Sequence, residues 1–488
     1  MLKFKAFAAV LWSGGDIVLR QGMQFVATMV LARLLSPSDF GVVAMLALFI
    51  GVAYVLMDGG FSVALIQRRD ISHLDESTVF WCNLGIGSLL TFLLFAAAPL
   101  IANFYDTPIL VPLARTMSLS CLLASLGSIH GTLLTRKLDF KTQAKAGAIA
   151  ALLSGTVAIV LALRGYGVWA LVAQALVMAG AMSTLLWSFH PWRPSWVFSR
   201  SSLGRLFGFG GFHLASSLLE MAYAKLYTLL VGRLFGTREL GLYANADNTR
   251  LLPGNFLGGL VARVALPMFS EAAHDRALLR RGIQLSLRGM MLINAPVMLG
   301  MAALAEPAIA VLFGNQWLAA APILRVLCIA GLLYPIHAIN LHALMAQGHA
   351  RLMFRLELLK KGIGVTLLVA GAYFGVMGVA WSQFAFSLLA LALNTHYSAK
   401  LLGYGLAAQA RDFLPPVVLA LVMAAVVATL NYYWPWDSYA AVRLGVLVCT
   451  GAAFFVAGAA MLRLEALRDV LLLLQTRSSA HLGETGTL

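Results

Sequence analysis

The sequence predicts an all-α integral membrane protein of about 14 transmembrane helices. These form two pseudo-symmetric six-helix lobes in parallel repeat, with two helices appended at the C-terminal end. Three observations carry that expectation. The composition is too apolar for a water-facing fold, uncharged stretches of bilayer-crossing length alternate with basic connectors, and a motif near residue 33 returns 200 positions later.

Of 488 residues, 60% are hydrophobic and 11% charged, and the mean hydropathy is +0.85. Soluble domains are about half apolar, so this much apolar surface needs lipid rather than a single aqueous core. No signal peptide is expected: the apolar run after Lys3 and Lys5 is short, and Asp16, Arg20 and Gln21 follow without a small-residue cleavage site. Cys82, Cys121, Cys328 and Cys449 stand singly in apolar segments, which predicts buried, unpaired thiols.

A helix crosses hydrocarbon in about 20 residues. Stretches free of formal charge occupy 40–57, 79–102, 146–163, 165–189, 413–433 and 444–462. The uncharged stretch 362–395 is too long for one crossing and must fold back at Tyr373-Phe374-Gly375-Val376-Met377-Gly378, giving two helices. Spans with internal charge are expected at 13–34, 109–134, 206–232, 240–268 and 317–346, and 283–305 completes the set. Lys and Arg test the count, because cytoplasmic loops are enriched in them. With both termini cytoplasmic, the inside loops hold Lys3/Lys5, Arg68/Arg69, Arg136/Lys137/Lys141/Lys145, Arg193/Arg200/Arg205, Arg276/Arg280/Arg281/Arg288, Arg351/Arg355/Lys360/Lys361, Lys400/Arg411 and Arg463/Arg468/Arg477. The outside loops hold Arg33, Arg164, Arg233, Arg238 and Arg443. The formal charge of +15 is therefore read as topology and not as a nucleic-acid footprint. Outside connectors such as 103–108, 314–317 and 431–439 leave no room for an extracytoplasmic domain. The tail from Arg463 starts amphipathic and ends polar, with disorder expected at its end.

Residues 31–44, LARLLSPSDFGVVA, are echoed by 231–244, VGRLFGTRELGLYA: Arg33 answers Arg233, Asp39 answers Glu239, and Gly41 answers Gly241. A helix end followed by a helix start accounts for the residue types, with Pro37 and an acid suited to a helix N-terminus. It does not account for their register, which points to duplication. Six crossings separate the copies, so the repeat is parallel, as in transporters with a site between two halves. The expected organisation is an N-terminal lobe at 1–200, a C-terminal lobe at 201–405, two further helices at 406–465, and a cytoplasmic tail at 466–488.

Downstream the copies diverge. Met45-Leu46-Ala47-Leu48-Phe49-Ile50 is apolar, whereas its counterpart is Asn245-Ala246-Asp247-Asn248-Thr249-Arg250, followed by Pro253-Gly254-Asn255. One reading gives the polar copy the function, with Pro253-Gly254 breaking the helix beside a cavity. The other makes 245–255 an outside loop, with the helix starting near Phe256.

Ionisable groups at membrane depth cost several kcal/mol and mark pathways or partners. The first span places Asp16, Arg20 and Gln24 on one stripe, and the seventh places His213, Glu220, Tyr223 and Tyr227 on one face with Lys225 well round the helix. Arg20 and Glu220 hold equivalent repeat positions. The eighth span adds Asp247, Arg250 and Arg263, the fourth Arg115, and the tenth Arg325. Cations outnumber acids here, which suits an anionic head group, since arginine matches phosphate oxygens bidentately. The substrate-binding candidates are Arg20, Lys225, Arg250, Arg263, Arg115 and Arg325, and the ion-coupling or gating candidates are Asp16, Glu220 and Asp247. Structural alternatives stand beside them: snorkelling for Arg115, Arg263 and Arg325, and static ion pairs for Arg20–Glu220 or Asp16–Arg20. His130, His337, His342 and His396 have no metal-site spacing, and P-loop, HExxH, GxSxG and Asp-x-Asp signatures do not occur. No enzyme is expected.

The stretches R-L-L-S-P-S-D-F-G-V-V-A (33–44), D-G-G-F-S-V-A-L-I-Q-R (58–68) and L-L-T-R-K-L-D-F-K (133–141), with V-A-L-P at 264–267, resemble Wzx-type polysaccharide flippases. These form the polysaccharide-transporter branch of the MATE-like (MOP) flippase superfamily, and the resemblance is nearest to colanic-acid and exopolysaccharide exporters. It implies two six-helix lobes around a cavity that alternates between the faces of the bacterial inner membrane. The implied cargo is an undecaprenyl-pyrophosphate-linked oligosaccharide. The implied cofactors are none beyond a coupling Na+ or H+, and the implied partner is polysaccharide polymerase machinery. The matching phosphate-holding candidates are Arg20, Arg250, Lys225 and Arg263. Two other functions remain open at this point: a MATE-like drug or metabolite antiporter, and a membrane-embedded polysaccharide polymerase or ligase.

Overall fold

The computed structural model describes residues 21–68, 70–271, 275–347, 350–434 and 440–469, with 209, 212, 255–268, 270–271 and 350–351 described by backbone alone. All regular structure among them is helical. Packing divides the chain into two units, Met1–Ala244 and Asn245–Leu488.

In the first unit, α1 (21–34) leads into α2 (Pro37–Asp58) through Ser36. The Ser36 hydroxyl accepts the Asp39 N–H at 3.3 Å, and the Asp39 carboxylate accepts the Ser36 N–H at 2.9 Å. With Pro37 in the first turn, the S-P-S-D sequence forms a capping box that satisfies backbone donors a helix start would otherwise leave orphaned. α2 stops at Gly59, whose φ of 57° is left-handed, and α3 (Phe61–Gln67) follows. Next come α4 (His73–Tyr105), α5 (Leu110–Arg136), α6 (Phe140–Leu163) and α7 (Trp169–Phe189). α5 lies against α4 and α7, and α6 against α7. Lipid supplies no hydrophobic drive between helices, so close backbone approach has to. Accordingly α6 buries Ala146, Ala150, Ser154, Ala158 and Ala162, one small residue every fourth position. Gly87 and Gly127 leave space taken by Ser125 and Ser183, where a β-carbon would stand 2.7 and 2.6 Å from the serine atoms.

α8 (Arg200–Glu271) is two helices joined at Gly236, which has φ 82° and ψ −175°, a conformation open to glycine and strained for other residues. The second unit continues with α9 (Arg276–Ala303), α10 (Ala305–Leu312), a 3-10 turn (Asn315–Trp317), α11 (Ala320–Gly331), α12 (Tyr334–Ala346), α13 (Ala350–Ala372), α14 (Gly375–Leu402), α15 (Leu406–Tyr432) and α16 (Ala440–Met461). α15 packs on α9 and α16, and α14 on α13 and α11. An apolar cavity of about 590 Å³ lies along α9 and α16, with Leu292, Pro296, Leu447, Phe455 and Leu467 in its wall. The expected reversal falls at the exposed Tyr373 and Phe374. There Gly371 and Gly378 cross so closely that a β-carbon on one would sit 2.5 or 2.2 Å from the other's carbonyl oxygen.

Among the described residues, 11 helices are long and apolar enough to cross a membrane, so the chain is a multi-pass membrane protein. Several expectations are revised. Pro253-Gly254 does not break α8, because the non-helical residue is Gly236, and residues 245–254 are helical rather than an outside loop. α13 starts at Ala350 instead of 362, which moves Lys360 from a loop into a helix. Cys121 and Cys328 are buried, but Cys449 is exposed. The polar end of the tail, 470–488, lies outside the described residues.

Candidate functional site

The two matched segments touch. Gly41, one turn into α2, packs against Thr237 and Gly241 where α8 resumes, and Gly241 packs against Pro37 and Gly41. Gly236 holds the position that Ser36 holds in the first copy. The chain is therefore capped by a side chain in one copy and turned by a glycine in the other, and the same helix start results.

Two turns beyond that start, the polar stretch is folded into helix. Asn245 and Thr249 are buried, and the Thr249 hydroxyl donates to the Asn245 carbonyl at 2.8 Å. Asp247 and Arg250 stand three positions apart, which puts them on one face. Arg250 Nη2 lies 2.5 Å and Nε 3.2 Å from Asp247 Oδ1, with the side chains 17% and 27% exposed. A β-carbon on Gly331 of α11 would lie 3.5 Å from Arg250 Cδ, so the arginine stem lies over a glycine. This is a paired, half-buried guanidinium able to exchange a carboxylate partner for a phosphate oxygen.

The remaining candidates are dispersed. Glu220 is exposed and Lys225 half-buried on α8, five residues apart and so on different faces. Tyr227 is buried. Arg115 is exposed on α5, with its guanidinium over the ring of Phe95 at 4.8 Å. Arg325 on α11 donates to the Ala302 carbonyl at 3.3 Å and pairs with Glu306 at 3.2 Å, both side chains largely exposed. Asp16 and Arg20 lie outside the described residues, as does the side chain of Arg263. Among the described residues no cluster of His, Cys, Asp or Glu has metal-holding geometry.

Sequence reasoning missed the polar interior of the second unit. Lys360 is buried on α13 and paired with Glu357, near His337, whose ring meets Asn394 at 3.3 Å. Asn340 joins Ser398, whose hydroxyl donates to its amide oxygen, to Gln409, with which it exchanges two amide hydrogen bonds. Arg288 on α9 meets Asp412 at 2.5 Å, Glu465 at 2.6 Å and Asp469 at 3.2 Å, and the Tyr404 hydroxyl donates to Asp412 at 2.5 Å. The signal for Lys360 was present: Leu356, Lys360, Gly364 and Leu368 recur every fourth residue and all are buried.

The fold is that of the multi-helix MurJ and MATE transporters. The structure of the lipid II flippase MurJ in an inward closed conformation superimposes with a TM-score of 0.70 over 94% of this chain and 99% of that one, at 16% identity. An inward-facing multidrug resistance MATE transporter gives a TM-score of 0.60 over 86% and 99%, at 14% identity. In sequence, residues 30–322 match the profile of the polysaccharide biosynthesis protein family, and the chain belongs to that family. Relatives include the teichuronic acid biosynthesis protein TuaB of Bacillus subtilis, 29% identical over 83% of this chain and 84% of its own. The lipopolysaccharide biosynthesis protein WzxC of Escherichia coli is 29% identical over 78% and 77%. The succinoglycan biosynthesis transport protein ExoT of Rhizobium meliloti is 31% identical over 64% of each. A relative named for transport agrees with the expectation of a transporter rather than an enzyme.

Proposed function

We propose that the chain flips a polyprenyl-pyrophosphate-linked oligosaccharide across the bacterial inner membrane by alternating access, for assembly of an exopolysaccharide or O-antigen-type polymer. The observation that carries this reading is membership of a polysaccharide biosynthesis family on a fold shared with a lipid II flippase. The moving halves are the lobes 1–200 and 201–405, with 406–465 appended and both termini in the cytoplasm. Arg250 and Lys225, with Arg20 and Arg263, hold the pyrophosphate while the lipid tail stays in apolar surroundings. Asp247, Glu220 and Asp16 change partners with a proton or sodium ion as the lobes rock. The aromatic stacking of Arg115 and the exposed ion pair of Arg325 support structural duty for those two. The released product goes on to polymerase machinery.

The MATE likeness favours a second reading, export of a small cationic compound. One experiment separates the readings: in cells lacking the protein, locate the lipid-linked oligosaccharide with a membrane-impermeant labelling reagent. Accumulation on the cytoplasmic face is expected. Accumulation on the outer face, or unaltered polymer with lost drug efflux, would overturn the flippase reading.

A further inference from the structure

We propose that a basic pocket at the charged ends of α9, α15 and α16 is a binding site for a phosphate-bearing anion, separate from the residues assigned to the cargo. The cavity has a volume of about 480 Å³ and is walled by Arg280, Arg288, Arg411 and Arg463 together with Asp412 and Glu465. Its place in the membrane follows from helix length. α9 has 28 residues, about 42 Å of helix against about 30 Å of hydrocarbon, so its first turns stand in the headgroup layer. Arg280 lies in the second of those turns, and Arg288, eight residues further on, lies deeper in the same wall. Arg411 lies in the second turn of α15, and Arg463 lies two residues past α16. The mouth of the pocket, with Arg280, Arg411 and Arg463, therefore sits at headgroup depth.

Its charges divide into a neutralised floor and a cationic rim. On the floor Arg288 is held by Asp412, Glu465 and Asp469, and Asp412 is held in turn by Tyr404. On the rim Arg280 stacks over the Tyr404 ring at 5.6 Å. Arg280, Arg411 and Arg463 form no ion pair among the described residues. Four arginines face two carboxylates in the wall, and counting Asp469 still leaves the positive charge in surplus.

Arg463 adds an independent sign. It occupies the residue after the C-terminal cap of α16 with φ 47°, where its N–H reaches Ala460 O at 3.1 Å and the next N–H reaches Ala459 O at 3.0 Å. Glycine or asparagine usually takes that left-handed position. Here an arginine does, and its side chain walls the pocket.

Guanidinium groups take phosphate oxygens in pairs. The phosphate has two possible sources: a lipid headgroup, whose chains would lie in the apolar cavity that begins beside Leu467, or a soluble phosphate. The test is native mass spectrometry of the full-length protein in detergent, titrated with phosphatidylglycerol, with the matching diacylglycerol, and with inorganic phosphate. The parent protein is expected to retain phosphatidylglycerol and not diacylglycerol. Arg463→Gly, which relieves its own backbone, and the pair Arg280→Gln/Arg411→Gln should each bind about tenfold more weakly. Arg281→Gln, on the same helix but outside the wall, should bind like the parent. Displacement by millimolar inorganic phosphate assigns the site to soluble phosphate, and resistance assigns it to lipid. Undiminished binding by Arg463→Gly and the double variant, or equal loss in Arg281→Gln, overturns the proposal. Because the readout is binding, it stands or falls apart from the export assay.

Discussion

Gly41 and Gly241 face each other with reciprocal geometry. A β-carbon on Gly41 would stand 1.7 Å from the Thr237 carbonyl oxygen, and one on Gly241 would stand 1.8 Å from the Pro37 carbonyl oxygen. The pairs 37/237 and 41/241 are the same positions of the duplicated motif, so the contact has local twofold symmetry. Gly41→Ala and Gly241→Ala should each lower stability by about 1–3 kcal/mol, the range for overpacking. The double variant should lose less than the sum, since parting the two helices relieves both clashes at once. Thermal unfolding of the four proteins in one detergent checks this; strict additivity would mean that the two glycines do not share a contact.

That contact also shows what the sequence could and could not disclose. The matched register of 31–44 and 231–244 was visible as a repeated motif, and the length of the uncharged stretch together with its glycines put the reversal within 373–378, because both are local patterns. The partner of each motif copy was the other copy, a fact of tertiary packing. Pro253-Gly254 misled because a membrane helix tolerates proline when neighbours satisfy the freed carbonyl, whereas Gly236 broke the helix through a positive φ that a glycine permits without requiring. Lys360 was read as a loop charge beside Lys361. Its burial depends on Glu357 standing one turn away and on a stripe that only a helix starting at Ala350 makes visible. Of the site candidates, Asp247 and Arg250 were legible as neighbours from their spacing, while the Arg288 cluster joins α9, α15 and the segment after α16 across 181 positions.

The Arg288 cluster predicts unequal costs for its members. Asp412 is 4% exposed and Glu465 is 72% exposed. Arg288→Ala leaves the Asp412 carboxylate buried without its cation and should cost about 3–5 kcal/mol. Glu465→Gln removes a solvent-screened partner and should cost at most about 1 kcal/mol. Thermal unfolding of the two variants decides. Equal losses would mean that the Glu465 pair carries the whole contribution of Arg288.

His190, just beyond α7, predicts a pH dependence. Burial pushes its imidazole below the usual range, and the Lys137 ammonium adds to that, with Nζ 3.5 Å from Nε2. The unfolded histidine takes a proton near pH 6.5, but the folded one takes it only at lower pH. Its contribution is complete above pH 6.5 and is lost as pH falls below it. Wild type should therefore lose stability relative to His190→Gln between pH 7 and pH 5.5, with parallel curves above pH 7. Parallel melting midpoints across the whole range would show that the ring is protonated in place.

Asp247 and Arg250 allow fold and transport to be separated. Exchanging them, Asp247→Arg with Arg250→Asp, keeps an ion pair three residues apart and reverses only its orientation along the helix, worth a few tenths of a kcal/mol. The exchanged protein should melt within about 1 kcal/mol of wild type, since the partly exposed pair keeps both its charges. If the guanidinium at 250 holds the anionic cargo, the exchange puts a carboxylate where phosphate must sit, and export should fall at least tenfold at matched membrane levels. Arg250→Ala should lose export as well, and Arg250→Lys should recover only part of it, because an ammonium gives a point charge without the planar fork. Full export by the exchanged protein would make the pair a strut of α8 and move the cargo site elsewhere.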